Sequence, residues 1–202
     1  MSGALNSVFG GGNIFGALLS VASIAFPPLA LAGGLSNLLT TAIGEAVKMA
    51  ATTLAQEFGM PKFLTSLIGQ VVDSVVGQLT KQSDPAVDSH LKETAGSAVD
   101  DFKNDLSKSI VDNAVQNIKS TKKKGSGSWL EALAEALGKA LDAQAAKVQQ
   151  LSSEITDQNA KDKPSTMTEL QTASQRLSFM MNSADQAIKT IGEALSTAAR
   201  KQ

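Results

Sequence analysis

Few side chains in this sequence could do chemistry. There is one histidine, His90, and there are no cysteines and no tyrosines. A lone imidazole acts as a base only beside a nucleophile and an orienting group, and neither lies at a recognisable spacing from His90. It sits among polar and charged residues, so the solvated-surface reading is preferred. Without cysteine there is no disulfide and no thiolate metal site, and the redox compartment stays open. The run GGGNIFG, residues 10–16, invites a phosphate-loop reading. Neither the dinucleotide spacing nor a Walker Gly-Lys-Ser/Thr follows it, and no strand precedes it. Gly12 and Gly16 instead form a Gly-x-x-x-Gly pair that lets helix backbones approach closely. With Phe15 and Phe26 they are candidates for close packing or membrane contact. Lys122, Lys123 and Lys124 could touch phosphate, but they adjoin a Gly/Ser run with no aromatic interleaving and read as a solvated tether. Carboxylates such as Asp101 and Asp105 lie at helix-surface spacing, with Lys108 three residues after Asp105, which is surface support and not an acid/base pair. The sequence therefore predicts no catalytic, cofactor or metal set and no enzyme. With a net charge of −1, it predicts no nucleic-acid partner either.

What the chain must position is apolar surface. Aromatic residues make up only 4% of it. A palette led by alanine, leucine, serine, glycine and valine suits close helix–helix contact better than a sandwich of sheets. The expected class is all-α. No ionisable side chain precedes Glu45. Within this front third, residues 14–26 read as an apolar helix stopped at Pro27-Pro28. At roughly 20 Å such a helix falls short of the ~30 Å hydrocarbon core. A second helix is expected from Leu35 or Ser36 to Glu57. Gly59-Met60-Pro61 breaks it, and Pro61 suits the start of the next helix. There Phe63, Leu67, Val71, Val75 and Leu79 are four apart and predict an apolar face. Three fates suit the uncharged front: burial in the chain's own core, burial between subunits, or membrane contact through residues 8–44 as a broken hairpin.

The next unit opens with Ser83 or Asp84 as N-cap ahead of Pro85. Val87, Leu91, Ala95, Val99, Phe102, Leu106, Ile110, Ala114 and Ile118 give it a helical stripe. Residues 121–128, with three lysines and a Gly/Ser run, form the clearest linker. The expected organisation is an apolar N-terminal helical region ending in an acidic amphipathic helix (1–120), the linker (121–128), and a C-terminal unit (129–202). In that last unit Leu130, Ala134, Leu137, Leu141, Gln144, Val148, Leu151 and Ile155 alternate steps of four and three. So do Leu170, Ser174, Leu177, Met181, Ala184, Ile188, Ile191, Leu195 and Ala198. That alternation is the heptad seam of a coiled coil. With Pro164 as breaker and Ser165 as cap between the two seams, it predicts a long antiparallel helical hairpin. The off-seam residues Trp129, Leu133, Phe179, Met180 and Ala187 widen the apolar face, as a helix with several partners requires.

The stretch DKPSTMTELQTASQRLSFMMNSADQAIKTIGEALSTAARKQ, residues 162–202, resembles the C-terminal helix of bacterial type III secretion filament and needle subunits. The matching positions are Pro164-Ser165, Leu170-Gln171, Asn182-Ser183-Ala184 and Ile188-Lys189-Thr190-Ile191. The likeness covers about the last 75 residues, and the family lacks the long apolar-then-acidic front region seen here. The resemblance implies a helical-hairpin protein that is secreted unprocessed and polymerises into an extracellular filament. Its partners would be copies of itself and, before export, a secretion chaperone. The N-terminal run has no Lys- or Arg-bearing n-region and is a poor Sec signal. The expectation is therefore a secreted protein, free or at the cell surface, that does not rely on a cleavable Sec leader. The assembly seam is expected at Leu130, Leu137, Leu141, Val148, Leu151 and Ile155, facing Leu170, Leu177, Met181, Ile188, Ile191 and Leu195. The alternative is a membrane-active translocator that inserts its uncharged front segment.

Overall fold

The computed structural model describes residues 28–80, 84–121, 125, 127–140, 142 and 164–201. They form α1 (Pro28–Glu57), α2 (Lys62–Leu79), α3 (Pro85–Thr121), α4 (127–140) and α5 (Pro164–Arg200). Among the described residues there is no strand. The protein is all-α.

α1 starts earlier than its sequence suggests. Pro28 occupies the first helical position, where a missing N–H costs nothing, so a proline expected only to stop a helix also starts one. Gly33 and Gly34, which precede the expected start at Leu35 or Ser36, lie inside the helix. The reason for Gly34 is packing. A Cβ there would fall 2.7 Å from Val87 Cγ1 and 2.9 Å from Leu91 Cδ1, so α1 and α3 approach through the hydrogen of a glycine. Gly44 does the same against α2, where a Cβ would lie 2.7 Å from Val76 Cγ2. α1 ends at a turn in which Gly59 takes φ +78°. The Phe58 and Met60 amides both donate to the Leu54 carbonyl, at 3.2 and 3.1 Å. Met60 is buried beneath the turn.

α1 is the central helix. Leu35, Leu39, Ile43, Ala46, Val47, Ala50 and Leu54 are all buried, and α1 packs against α2, α3 and α5. Helix directions follow from the contacts. Gly34 lies beside Val87 and Glu45 pairs with Lys103 at 2.9 Å, so α1 and α3 run parallel. Gly44 lies closest to Val76 and Lys48, further along α1, pairs with Asp73, earlier on α2, so α2 returns antiparallel. On α3, Val87, Leu91, Ala95, Val99, Phe102, Leu106, Ile110 and Ala114 are buried, as their spacing predicts. Asp84 caps this helix, its Oδ1 accepting from the Ala86 amide at 2.9 Å.

α2 differs from expectation in its rotation. Its buried line is Leu64, Ile68, Val72 and Val75, while Phe63 is 56% exposed and Leu67 and Val71 are half-buried. A strict four-residue step advances about 40° per turn, so the line from Phe63 to Leu79 swings through roughly 160° and cannot stay on one partner.

Two expectations are overturned. The long antiparallel C-terminal hairpin does not stand as the coiled-coil unit anticipated. α5 lies along α1 and α2, and α4 follows α3 across a bend at Gly125. Leu130, Leu133 and Leu137 of α4 and Met180, Ala187 and Ile188 of α5 join the same buried cluster as Leu39 and Leu106. The physical reason is seam width. A seam rich in alanine and serine buries too little area on its own, and the off-seam Leu133, Met180 and Ala187 carry burial around to further partners. Membrane contact through residues 8–44 is also corrected. No helix among the described residues is long and apolar enough to cross a membrane. The described part of that segment opens α1, with Leu35, Leu39, Ala42 and Ile43 buried in the chain's own core. Residues 8–27 lie outside the described residues.

Candidate functional site

The expected seam residues fall into two groups. Leu130 and Leu137 on α4, and Ile188, Ile191 and Leu195 on α5, are between 0 and 3% exposed, so their surface is satisfied inside one chain. α4 and α5 meet closely: Gly127 lies against the Ala199 carbonyl and Gly192 against that of Ala134. Leu170, Leu177 and Met181 belong to α5, but their side chains lie outside the described residues. So do Leu141, Val148, Leu151 and Ile155 after α4, and Gly12, Phe15, Gly16 and Phe26 at the front.

The open surface lies elsewhere. Between α2 and α5 runs a groove of about 480 Å³ floored by Leu67, Val71 and Ala194 and rimmed by Gln70, Ser74, Gln78, Thr190 and Thr197. Thr190 turns its hydroxyl back to the Gln186 carbonyl, at 2.7 Å. Glu193 is the one charged side chain in this wall. It stands on the ridge to a second groove of about 700 Å³, between α4 and α5, which is charged: Glu131, Glu135, Lys189 and Arg200 line it. There Lys189 is held above the ordinary lysine pKa, first by its hydrogen bond to Asp185 and then by that carboxylate's charge. Lys139 and Glu135 pair along α4 at 3.2 Å.

Aromatic side chains supply the rest of the apolar surface. Phe58 and Phe63 flank the α1–α2 turn, 40% and 56% exposed, and Phe179 on α5 is 42% exposed. The turn that carries the first two is anchored by buried Met60, so the rings project from a fixed backbone. Sequence reading missed the groove because it read Phe63, Leu67, Val71, Val75 and Leu79 as one continuous apolar face, whereas Leu67 and Val71 are half-buried at its edge and Phe63 is exposed. The signal was present all the same: two apolar lines one residue apart on α2 imply two apolar contacts, one internal and one open.

Chemically the first groove offers apolar side chains interspersed with polar ones, with the Glu193 carboxylate on its α5 wall. Among the described residues no three His, Cys, Asp or Glu side chains gather as metal ligands would. The fold defines the class: an all-α bundle around a central helix, with an open groove and projecting aromatics. Comparison with protein families, curated proteins and solved structures gave no match.

Proposed function

We propose that this chain is a structural subunit that associates with copies of itself into a filament outside the cell. One observation carries the reading: Phe58 and Phe63 project from a folded bundle that also leaves Leu67 and Val71 open in the α2/α5 groove. Exposed aromatic side chains are enriched at protein contact sites. The filamentous form and the export are supported by the resemblance of α5 to secreted filament subunits at Asn182-Ser183-Ala184 and Ile188-Lys189-Thr190-Ile191. Because Ile188, Ile191 and Leu195 are buried within the chain, contact between copies is assigned to the groove and not to the heptad seam. A secretion chaperone would cover the same surface before assembly.

Light scattering and negative-stain microscopy of the purified chain at micromolar concentration test the reading. Uniform filaments or a regular large particle are expected. A 20.9 kDa monomer that persists as concentration rises would overturn it.

A further inference from the structure

We infer that the uncharged segment ahead of α1, residues 14–26, docks on the first turns of α5 in its own chain. The docking surface arises from a difference in helix length. Ser36 on α1 donates to Ser183 on α5 at 3.1 Å. Further along, Thr190 and Ala194 of α5 share a groove with Val71 to Gln78 of α2, the stretch that faces Gly44 and Lys48 of α1. α5 therefore runs parallel to α1. α1 starts eight residues before the serine contact, at Pro28, and α5 starts nineteen before it, at Pro164. At 1.5 Å per residue, α5 overshoots α1 by about 16 Å. The other helices stop short as well. α3 starts at Pro85, beside Gly34, and α2 ends at Leu79, just past the Val76 that meets Gly44. Ala134 of α4 faces Gly192, which leaves the end of α4 near Gln186. Among the described residues, no helix accompanies the start of α5.

The apolar line of α5 continues into that overhang. Leu177 and Leu170 stand seven and fourteen positions before buried Ala184, and Ala173 stands seven before buried Met180. Position, length and charge select the occupant. Residues 14–26 enter the fold at Pro28, at the base of the overhang. As a helix they would span about 20 Å, close to its length. Ile14, Phe15, Leu18, Val21, Ile24 and Phe26 make them apolar, and they carry no charge. Residues 141–163, by contrast, hold seven charged side chains and suit water. The tether favours the segment's own chain over a second copy. A short linker supplies an effective concentration of about millimolar, well above the micromolar concentration of free chain. This contact goes beyond the self-association proposed above and does not depend on it.

Cysteine cross-linking tests it in the full chain, which has no cysteine of its own. The serine contact sets an offset of 147 residues between α1 and α5, and that offset carries Ser20 to Met167. One variant combines Ser20→Cys with Met167→Cys. The control combines Ser20→Cys with Ser89→Cys, an exposed site on α3 near the start of α1 that an undocked segment would reach as readily. Both are treated with a short bismaleimide at micromolar concentration, with folding checked by circular dichroism. A link within one chain, mapped by peptide mass, should form at least about ten-fold faster at Met167→Cys than in the control. Equal rates at the two sites would overturn the inference. So would links formed chiefly between chains, which would assign the overhang to a second copy. Because the link is read within single chains, its failure leaves the proposed self-association standing.

Discussion

Gly33 and Gly34 are neighbours in one helix and should respond oppositely to the same substitution. Alanine is favoured over glycine in a helix by about 0.8–1 kcal/mol, and that gain is common to Gly33→Ala and Gly34→Ala. The difference lies in the space. A Cβ at Gly33 meets nothing within 4 Å, whereas at Gly34 it lies 2.7 Å from Val87 Cγ1 and 2.9 Å from Leu91 Cδ1. Carbon atoms in contact sit at about 3.5–4.0 Å, so helix α3 must move outward by several tenths of an ångström or its side chains must leave their rotamers. Val87 is β-branched and fully buried, and neither it nor Leu91 can swing into solvent. Overpacking of this kind costs about 1–3 kcal/mol. Gly33→Ala should therefore be stabilised by up to ~1 kcal/mol and Gly34→Ala should be neutral to ~2 kcal/mol less stable. Because the propensity term cancels, the gap between them is ~1–3 kcal/mol. For a chain of this size that separates the melting temperatures by ~2–12 °C. Thermal and urea unfolding followed at 222 nm would measure it. Equal stability of the two variants would refute the close approach of α1 to α3.

The same contrast should appear between Gly44→Ala, crowded by Val76 and Val72, and Gly77→Ala, which meets nothing within 4 Å; urea midpoints of the pair check it. Ile188→Asp and Leu137→Asp place a carboxylate in the core at sites 3% and 0% exposed. Each should lose at least ~3 kcal/mol of stability, so circular dichroism should show unfolding before any effect on assembly is read. Lys103 is held above the ordinary lysine pKa, chiefly by hydrogen bonds to Asp100 and then to Glu45. A raised pKa means the stabilisation is complete below the unfolded value near 10.5 and is lost as pH climbs through the folded one. Replacing Lys103 by Met should remove ~0.5–1 kcal/mol at pH 8 and leave little difference from wild type well above pH 11, as urea titrations across that range would show. The exposed Lys48–Asp73 pair that ties α1 to α2 should show a coupling energy of at most ~1 kcal/mol in a double-mutant cycle, shrinking as salt is added.

Much of the architecture is legible along the chain. The α3 stripe from Val87 to Ala114 drifts by about 180° around the helix and is buried along its whole length, and the Asp84 cap and the Gly59 break are local chemistry. α2 is harder because two apolar lines compete: Phe63–Leu67–Val71 and Leu64–Ile68–Val72. Sequence spacing alone cannot rank them. Only the position of α1, whose Gly44 admits Val72 and Val76, decides which line turns inward.

By itself the sequence determined helical class, the break at Gly59-Met60-Pro61, the start of α3 at Pro85 and the buried line from Val87 to Ala114, because capping, backbone restriction and periodicity act within a few residues; Ala98, Ser107 and Val111 are buried off that line, and Ile118 on it is half-buried. Tertiary structure alone decided partners. A heptad line on α5 reports that an apolar face exists and not what covers it, so Ile188 and Leu195 suited a two-helix hairpin, whereas the fold sets α5 against α1 and α2 and buries both residues in the common core. The same holds for Gly34, which as a sequence breaks a helix and in the fold lets two helices touch. Contact between elements distant in the chain depends on which of several similar apolar faces fit together with least void, and no single segment carries that information.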